Sequence, residues 1–101
     1  MLLTNFFNEP GNLVCRYGGE EFAVLLPNCT KKKAAELAEE IRQIISEQTI
    51  VLRREKTKVT VSIGVASLPK DARIKDELIY KADHALYEAK SKGRNRVCSA
   101  S

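Results

Sequence analysis

The sequence predicts an α+β domain in which helices pack against a mainly antiparallel sheet. Three observations carry that expectation. Residues 58–68 alternate Val59, Val61, Ile63 and Val65 with Thr60, Ser62, Gly64 and Ala66, the two-residue period of a strand with one buried face. Residues 30–47 and 75–91 carry apolar side chains at the three-to-four-residue spacing of amphipathic helices. The run Arg16-Tyr17-Gly18-Gly19-Glu20-Glu21-Phe22 sets two glycines and two acids between apolar strand-like segments, residues 13–17 and 22–26. That is the pattern of a hairpin with an acidic tip.

Taken in order, Leu2, Leu3, Phe6 and Phe7 are spaced like the tail of an amphipathic helix, and Asn8-Glu9-Pro10-Gly11-Asn12 is a turn. The acidic hairpin follows and closes at Pro27-Asn28. Thr30 can cap a helix through about Glu47, with Ala34, Leu37, Ala38, Ile41 and Ile45 on one face. A second hairpin is expected from the short segment 49–53 and the strand 58–68, which Pro69 stops. The second long helix spans about 75–91, with Leu78, Ile79, Ala82, Ala85, Leu86 and Ala89 on its apolar face and Gly93 as its C-terminal stop. Val97-Cys98 reads as a short last strand. The order is the end of a helix, then ββ-α-ββ-α-β, without repeats or internal linkers.

The chain of 101 residues is long enough for one modest core. No apolar stretch approaches the roughly 20 residues that span a bilayer. The first seven residues lack the basic region and cleavage site of a signal peptide. Cys15, Cys29 and Cys98 are odd in number and widely spread, so they read as reduced thiols and not as a disulfide or zinc framework. A cytoplasmic location without direct membrane insertion is the expectation. The formal charge of +4 suits an anionic ligand but is common in inert proteins. Lys31-Lys32-Lys33 reads as a solvated first helical turn. An RNA-binding role is disfavoured, because the strands lack the clustered aromatics that stack bases, so no nucleic-acid partner is expected.

Each candidate site residue has a plain structural reading beside the functional one. A Gly-Gly-acid-acid turn is commonly a solvated hairpin tip, and Lys90 and Arg94 fit as cations at a helix C-terminus. Phe22 and Tyr17 read as core on either view. His84 lies beside Asp83 without a second residue at metal spacing, and so reads as a surface side chain. Tyr87, at helical spacing from Asp83, reads as packing.

Four stretches together are more specific: residues 16–22, residues 59–66 (Val-Thr-Val-Ser-Ile-Gly-Val-Ala), residues 82–90 (Ala-Asp-His-Ala-Leu-Tyr-Glu-Ala-Lys) and residues 93–97 (Gly-Arg-Asn-Arg-Val). In this order they resemble the GGDEF family, the catalytic domain of diguanylate cyclases, in its Gly-Gly-Glu-Glu-Phe form. The resemblance implies a ferredoxin-like, nucleotidyl-cyclase-like sheet. It also implies an enzyme that condenses two GTP into cyclic di-GMP plus two pyrophosphates across a homodimer of facing domains. Mg2+ or Mn2+ is implied as cofactor, and carboxylate oxygens suit such hard cations. Carried over by position, Glu20 is the metal-ligating and catalytic acid and Glu21 the second catalytic acid. Gly18 and Gly19 let the turn approach the nucleotide, and Lys90 and Arg94 hold the β- and γ-phosphates.

The sequence departs from the family pattern in two places. The resemblance covers residues 12–101 as the family's C-terminal part, with residues 1–8 as the end of a family helix. The family's first strand, with its Asp-x-Asp-x-Phe-Lys segment, and its guanine-reading helix have no counterpart in these residues. A single truncated domain is therefore expected, inactive or nearly so alone, with sheet edges left open unless dimerisation, for which strand exchange is one route, closes them. Secondly, the family's inhibitory Arg-x-x-Asp site is replaced by Glu9 and Asn12, so no product inhibition is expected there. The alternative is a degenerate GGDEF domain that binds GTP or serves protein contact.

Overall fold

A computed structural model describes residues 2–18, 21–52 and 54–101. Thr30 caps the first long helix as its sequence predicts: its hydroxyl accepts from the Lys33 amide at 3.1 Å, satisfying one of the free N–H groups of the first turn. The elements are α1 (Leu2–Phe6), β1 (Leu13–Gly18), β2 (Glu21–Leu25), α2 (Lys31–Glu47), β3 (Ile50–Leu52), β4 (Glu55–Thr57), β5 (Ile63–Val65), α3 (Lys75–Ser91) and β6 (Val97–Ser99). The strands form three two-stranded sheets among the described residues: β1–β2 and β3–β4 antiparallel, and β5–β6 parallel.

The core lies where α2 and α3 pack on the β5–β6 pair. Its buried side chains are mostly small: Ala38, Ala85, Ala89 and Ala100, with Ile41 and Val65 supplying bulk. Small residues let backbones approach closely, and Gly64 takes this to its limit. A Cβ at Gly64 would lie 2.9 Å from Leu86 Cα, and closer still to Ala82 O and Leu86 N. Helix α3 therefore rests directly on the β5 backbone. Two further hydrogen bonds extend the parallel pair, from Ile63 N to Arg96 O at 3.0 Å and from Ala100 N to Val65 O at 2.7 Å.

A polar lock joins three distant segments beside this core. Lys31 Nζ donates to Asp71 Oδ1 at 2.8 Å and also to the Ala100 carbonyl oxygen. The other Asp71 oxygen accepts from Ser67 N at 2.9 Å. Only 4% of the Asp71 side chain and 15% of the Lys31 side chain are exposed. Lys31 is thus a half-buried ion-pair partner and not the solvated residue its lysine run predicts, while Lys32 and Lys33 are exposed.

Three further expectations are corrected. The second hairpin pairs β3 with β4, not with the alternating segment 58–68. Arg54, at φ 70, makes the tight reversal that lets Glu55 follow directly. The alternating segment is a strand only at Ile63–Val65, where β6 pairs with it. Tyr17 and Phe22 are 56% and 46% exposed, not core, since the β1–β2 hairpin makes its strand pairing only with itself among the described residues.

Candidate functional site

The site begins at the acidic hairpin. Leu13 pairs with Leu25, Val14 with Val24, Cys15 with Ala23 and Arg16 with Phe22, and after an irregularity Gly18 faces Glu21. Gly19 and Glu20, the two residues between, lie outside the described residues, so the expected metal-ligating acid carries no geometry here. A Cβ at Gly18 would meet nothing within 4 Å. Internal packing therefore gives no reason for glycine at that position.

The second half comes from the end of α3. Its first turn carries Asp76 and Glu77 and its last turn Lys90, each sign placed where the helix dipole favours it. The helix ends as Gly93 predicts. Gly93, at φ 116, donates to Lys90 O at 3.3 Å, and Arg94 N donates to Ala89 O at 3.0 Å. These two bonds form a Schellman cap, which fixes Arg94 relative to Lys90. Arg94 and Asn95 follow in left-handed conformations, φ 64 and 49, with the Arg94 side chain exposed.

The two halves meet. Lys90 Nζ lies 3.5 Å from Glu21 Oε1, with 38% and 45% of the respective side chains exposed. Such an open ion pair contributes about 0–1 kcal/mol, so it marks a meeting point more than it holds the fold. Around it, Glu21, Asp83, Leu86, Tyr87 and Lys90 line an open groove of about 250 Å³. Asp83 and Tyr87 are the lining residues that sequence reasoning missed. Their spacing with Leu86 and Lys90 along one helical face was the available signal, and Tyr87, at 69% exposure, is not packed away. The carboxylates of Glu21 and Asp83 on one groove suit a hard divalent cation in donor type. Arg94 is not among the groove-lining residues.

The remaining candidates lie elsewhere. Glu9 is exposed in the turn before β1, where Asn12 N donates to Glu9 O at 3.1 Å. His84 is a surface side chain, with Nδ1 3.8 Å from Glu88 Oε1 and its ring stacked on Tyr80 at 6.3 Å. No group of three or more His, Cys, Asp or Glu side chains converges among the described residues. No helix among them is long and apolar enough to cross a membrane.

Comparison with known proteins gives the family of the chain. The profile of the family described as "Diguanylate cyclase, GGDEF domain" matches residues 2–96. The chain belongs to the GGDEF family. Diguanylate cyclase A of Treponema denticola is 46% identical over 82 residues, covering 81% of this chain and 22% of that protein. The GGDEF domain of DgcB from Caulobacter crescentus, solved in complex with c-di-GMP, superposes with a TM-score of 0.85 at 34% identity, covering 97% of this chain and 58% of that one. The active GGEEF domain of a diguanylate cyclase from Vibrio cholerae gives a TM-score of 0.85 at 33% identity, covering 99% and 62%. These likenesses establish the α+β fold that the sequence predicts. The chain spans about a fifth of the length of the curated relatives it matches, and it is a fragment of the GGDEF domain.

Proposed function

We propose that this chain is the phosphate-holding, C-terminal part of the GGDEF domain of a cytoplasmic diguanylate cyclase, which condenses two GTP into cyclic di-GMP plus two pyrophosphates across a homodimer of such domains. The observation that carries this reading is the approach of Glu21 to Lys90 at 3.5 Å in a chain of that family. It brings a hairpin acid and a helix-end cation to one groove, as a metal-bound polyphosphate requires. Lys90 and Arg94 hold the β- and γ-phosphates. Glu20 and Glu21 are the acids of the reaction, and Glu20 ligates Mg2+ or Mn2+. The metal, when bound, neutralises phosphate charge. The open space at Gly18 leaves room for the nucleotide against the β1–β2 turn. These 101 residues contain no Asp-x-Asp-x-Phe-Lys segment, and alone they are inactive or nearly so.

Calorimetry with GTP and Mn2+ tests this assignment. The chain is expected to bind, with Glu20→Ala and Lys90→Ala each weakening affinity by about tenfold, the scale of one charge-assisted contact. Equal affinity in all three proteins would remove Glu20 and Lys90 from the site. A second expectation concerns the product. The exposed acid Glu9 stands where the family's inhibitory arginine would, and it repels a negatively charged dinucleotide. Titrated cyclic di-GMP should show no binding that Glu9→Ala or Asn12→Ala alters, whereas binding sensitive to either change would refute the expectation.

A further inference from the structure

The loop that carries Arg94 is held from outside the groove. Arg94 and Asn95 are consecutive non-glycine residues in the left-handed region. Such backbone is uncommon outside glycine and persists only where its surroundings over-determine it. The restraints are explicit. The Schellman cap fixes the loop's start through Gly93 and the Arg94 amide. Asn95 N donates to Ser62 Oγ at 3.1 Å, tying the loop to the approach to β5. Its side chain is tied as well, since Arg42 Nη1 donates to Asn95 Oδ1 at 2.7 Å across 53 residues of sequence.

Arg42 is itself fixed before it reaches the loop. Its Nε and Nη2 both donate to the Glu39 carboxylate at 2.7 Å, one helical turn earlier on α2. Gln43 Nε2 adds a third bond to Glu39 at 3.1 Å. Only 16% of the Arg42 side chain is exposed. The planar guanidinium spends two donors on Glu39 and presents a third to Asn95 in a fixed direction, which a lysine could not reproduce. The pairing also holds the Glu39 carboxyl below its usual pKa, chiefly through the Arg42 hydrogen bond, and Arg42 above its own.

We propose that Arg42, oriented by Glu39, is a positioning residue for Arg94: by gripping Asn95 it pre-sets the Gly93–Asn95 loop so that the Arg94 guanidinium is aimed before a polyphosphate arrives. This rests on the reading of Arg94 as a phosphate cation given above. Arg42 makes no contact with the ligand and acts by removing the ordering cost of the loop. Binding is thereby linked to α2, an element that contributes nothing to the groove lining.

The test is a thermodynamic cycle on the 101-residue chain, read as GTP affinity with Mn2+ by calorimetry. Arg94→Ala is expected to weaken binding about tenfold, and Arg42→Ala about fivefold. The double variant Arg42→Ala/Arg94→Ala should bind no more weakly than Arg94→Ala alone, because Arg42 has nothing left to position. Asn95→Gly keeps the left-handed backbone and removes the grip, so it should match Arg42→Ala, and it carries the test if Arg42→Ala fails to fold. Losses that multiply in the double variant, or wild-type affinity in both Arg42→Ala and Asn95→Gly, overturn the inference while Arg94 keeps its role. Wild-type affinity in Arg94→Ala, or no GTP binding by the parent chain, overturns the phosphate-cation reading and the inference together.

Discussion

Gly64→Ala is expected to lower the unfolding midpoint by roughly 15 °C, a loss of about 3 kcal/mol in a domain of this size. The cause is steric and backbone-deep. The added methyl would meet Ala82 O, Leu86 N and Leu86 Cα of α3, none of which is the yielding end of a side chain. Relief requires α3 to lift from β5, which opens the contacts of Ala85 and Ala89, 1% and 0% exposed. Interiors packed at this density do not absorb such a shift locally. Gly18→Ala is the matched control, since its new methyl enters open space and should leave the midpoint within a degree or two. Thermal melts followed by circular dichroism compare the two. Equal midpoints would show that α3 is not seated on β5 as described.

Loss of the Asp71 lock ranks second. Asp71→Asn is expected to cost about 2–3 kcal/mol at neutral pH, because it leaves the largely buried Lys31 ammonium without its counter-charge. The full cost of an orphaned buried ion is softened by the flexible lysine stem, which can carry its charge toward water. Burial alone would raise the Asp71 pKa, but the Lys31 hydrogen bond and the Ser67 amide outweigh it and hold the carboxyl below its usual value. A depressed folded pKa means that the stabilisation is fully present above about pH 4 and is lost as pH falls through the folded value. Urea melts at pH 7 and pH 3 should therefore show the gap between wild type and Asp71→Asn narrowing in acid. A gap that is constant or widens would exclude charge pairing as its source.

Much of this fold was legible in local chemistry. The Thr30 cap, the apolar stripe of α3 and the Gly93 stop each act within a few residues, so sequence spacing locates α2 and α3 at the boundaries the structure shows. Strand partners are different. Alternation at Val59, Val61 and Ile63 announces a strand but not its neighbour, and the parallel partner of β5 arrives only after the whole of α3. The strand Glu55-Lys56-Thr57 is charged and gives no hydropathy signal, and nothing about an arginine announces the left-handed turn at Arg54. In the site, Lys90 and Glu21 could each be named from sequence, but their meeting could not, because it depends on where the hairpin lies against α3. The hidden role of Lys31 has the same origin: its partner Asp71 sits in a turn with no periodic signature.

The Glu21–Lys90 pair has an electrical consequence for the groove. Glu21 and Lys90 answer each other, which leaves the Asp83 carboxylate as the unmatched formal charge of the lining. A lone anion must compete with Glu21 for Lys90 beside a second carboxylate, Asp83, whereas a cation finds both carboxylates on one lining. A ligand bearing both signs answers both side chains in one event. On the proposed reading the cation and the polyphosphate raise each other's affinity by the same factor, because the cation answers the groove's carboxylates and frees Lys90 for the phosphates.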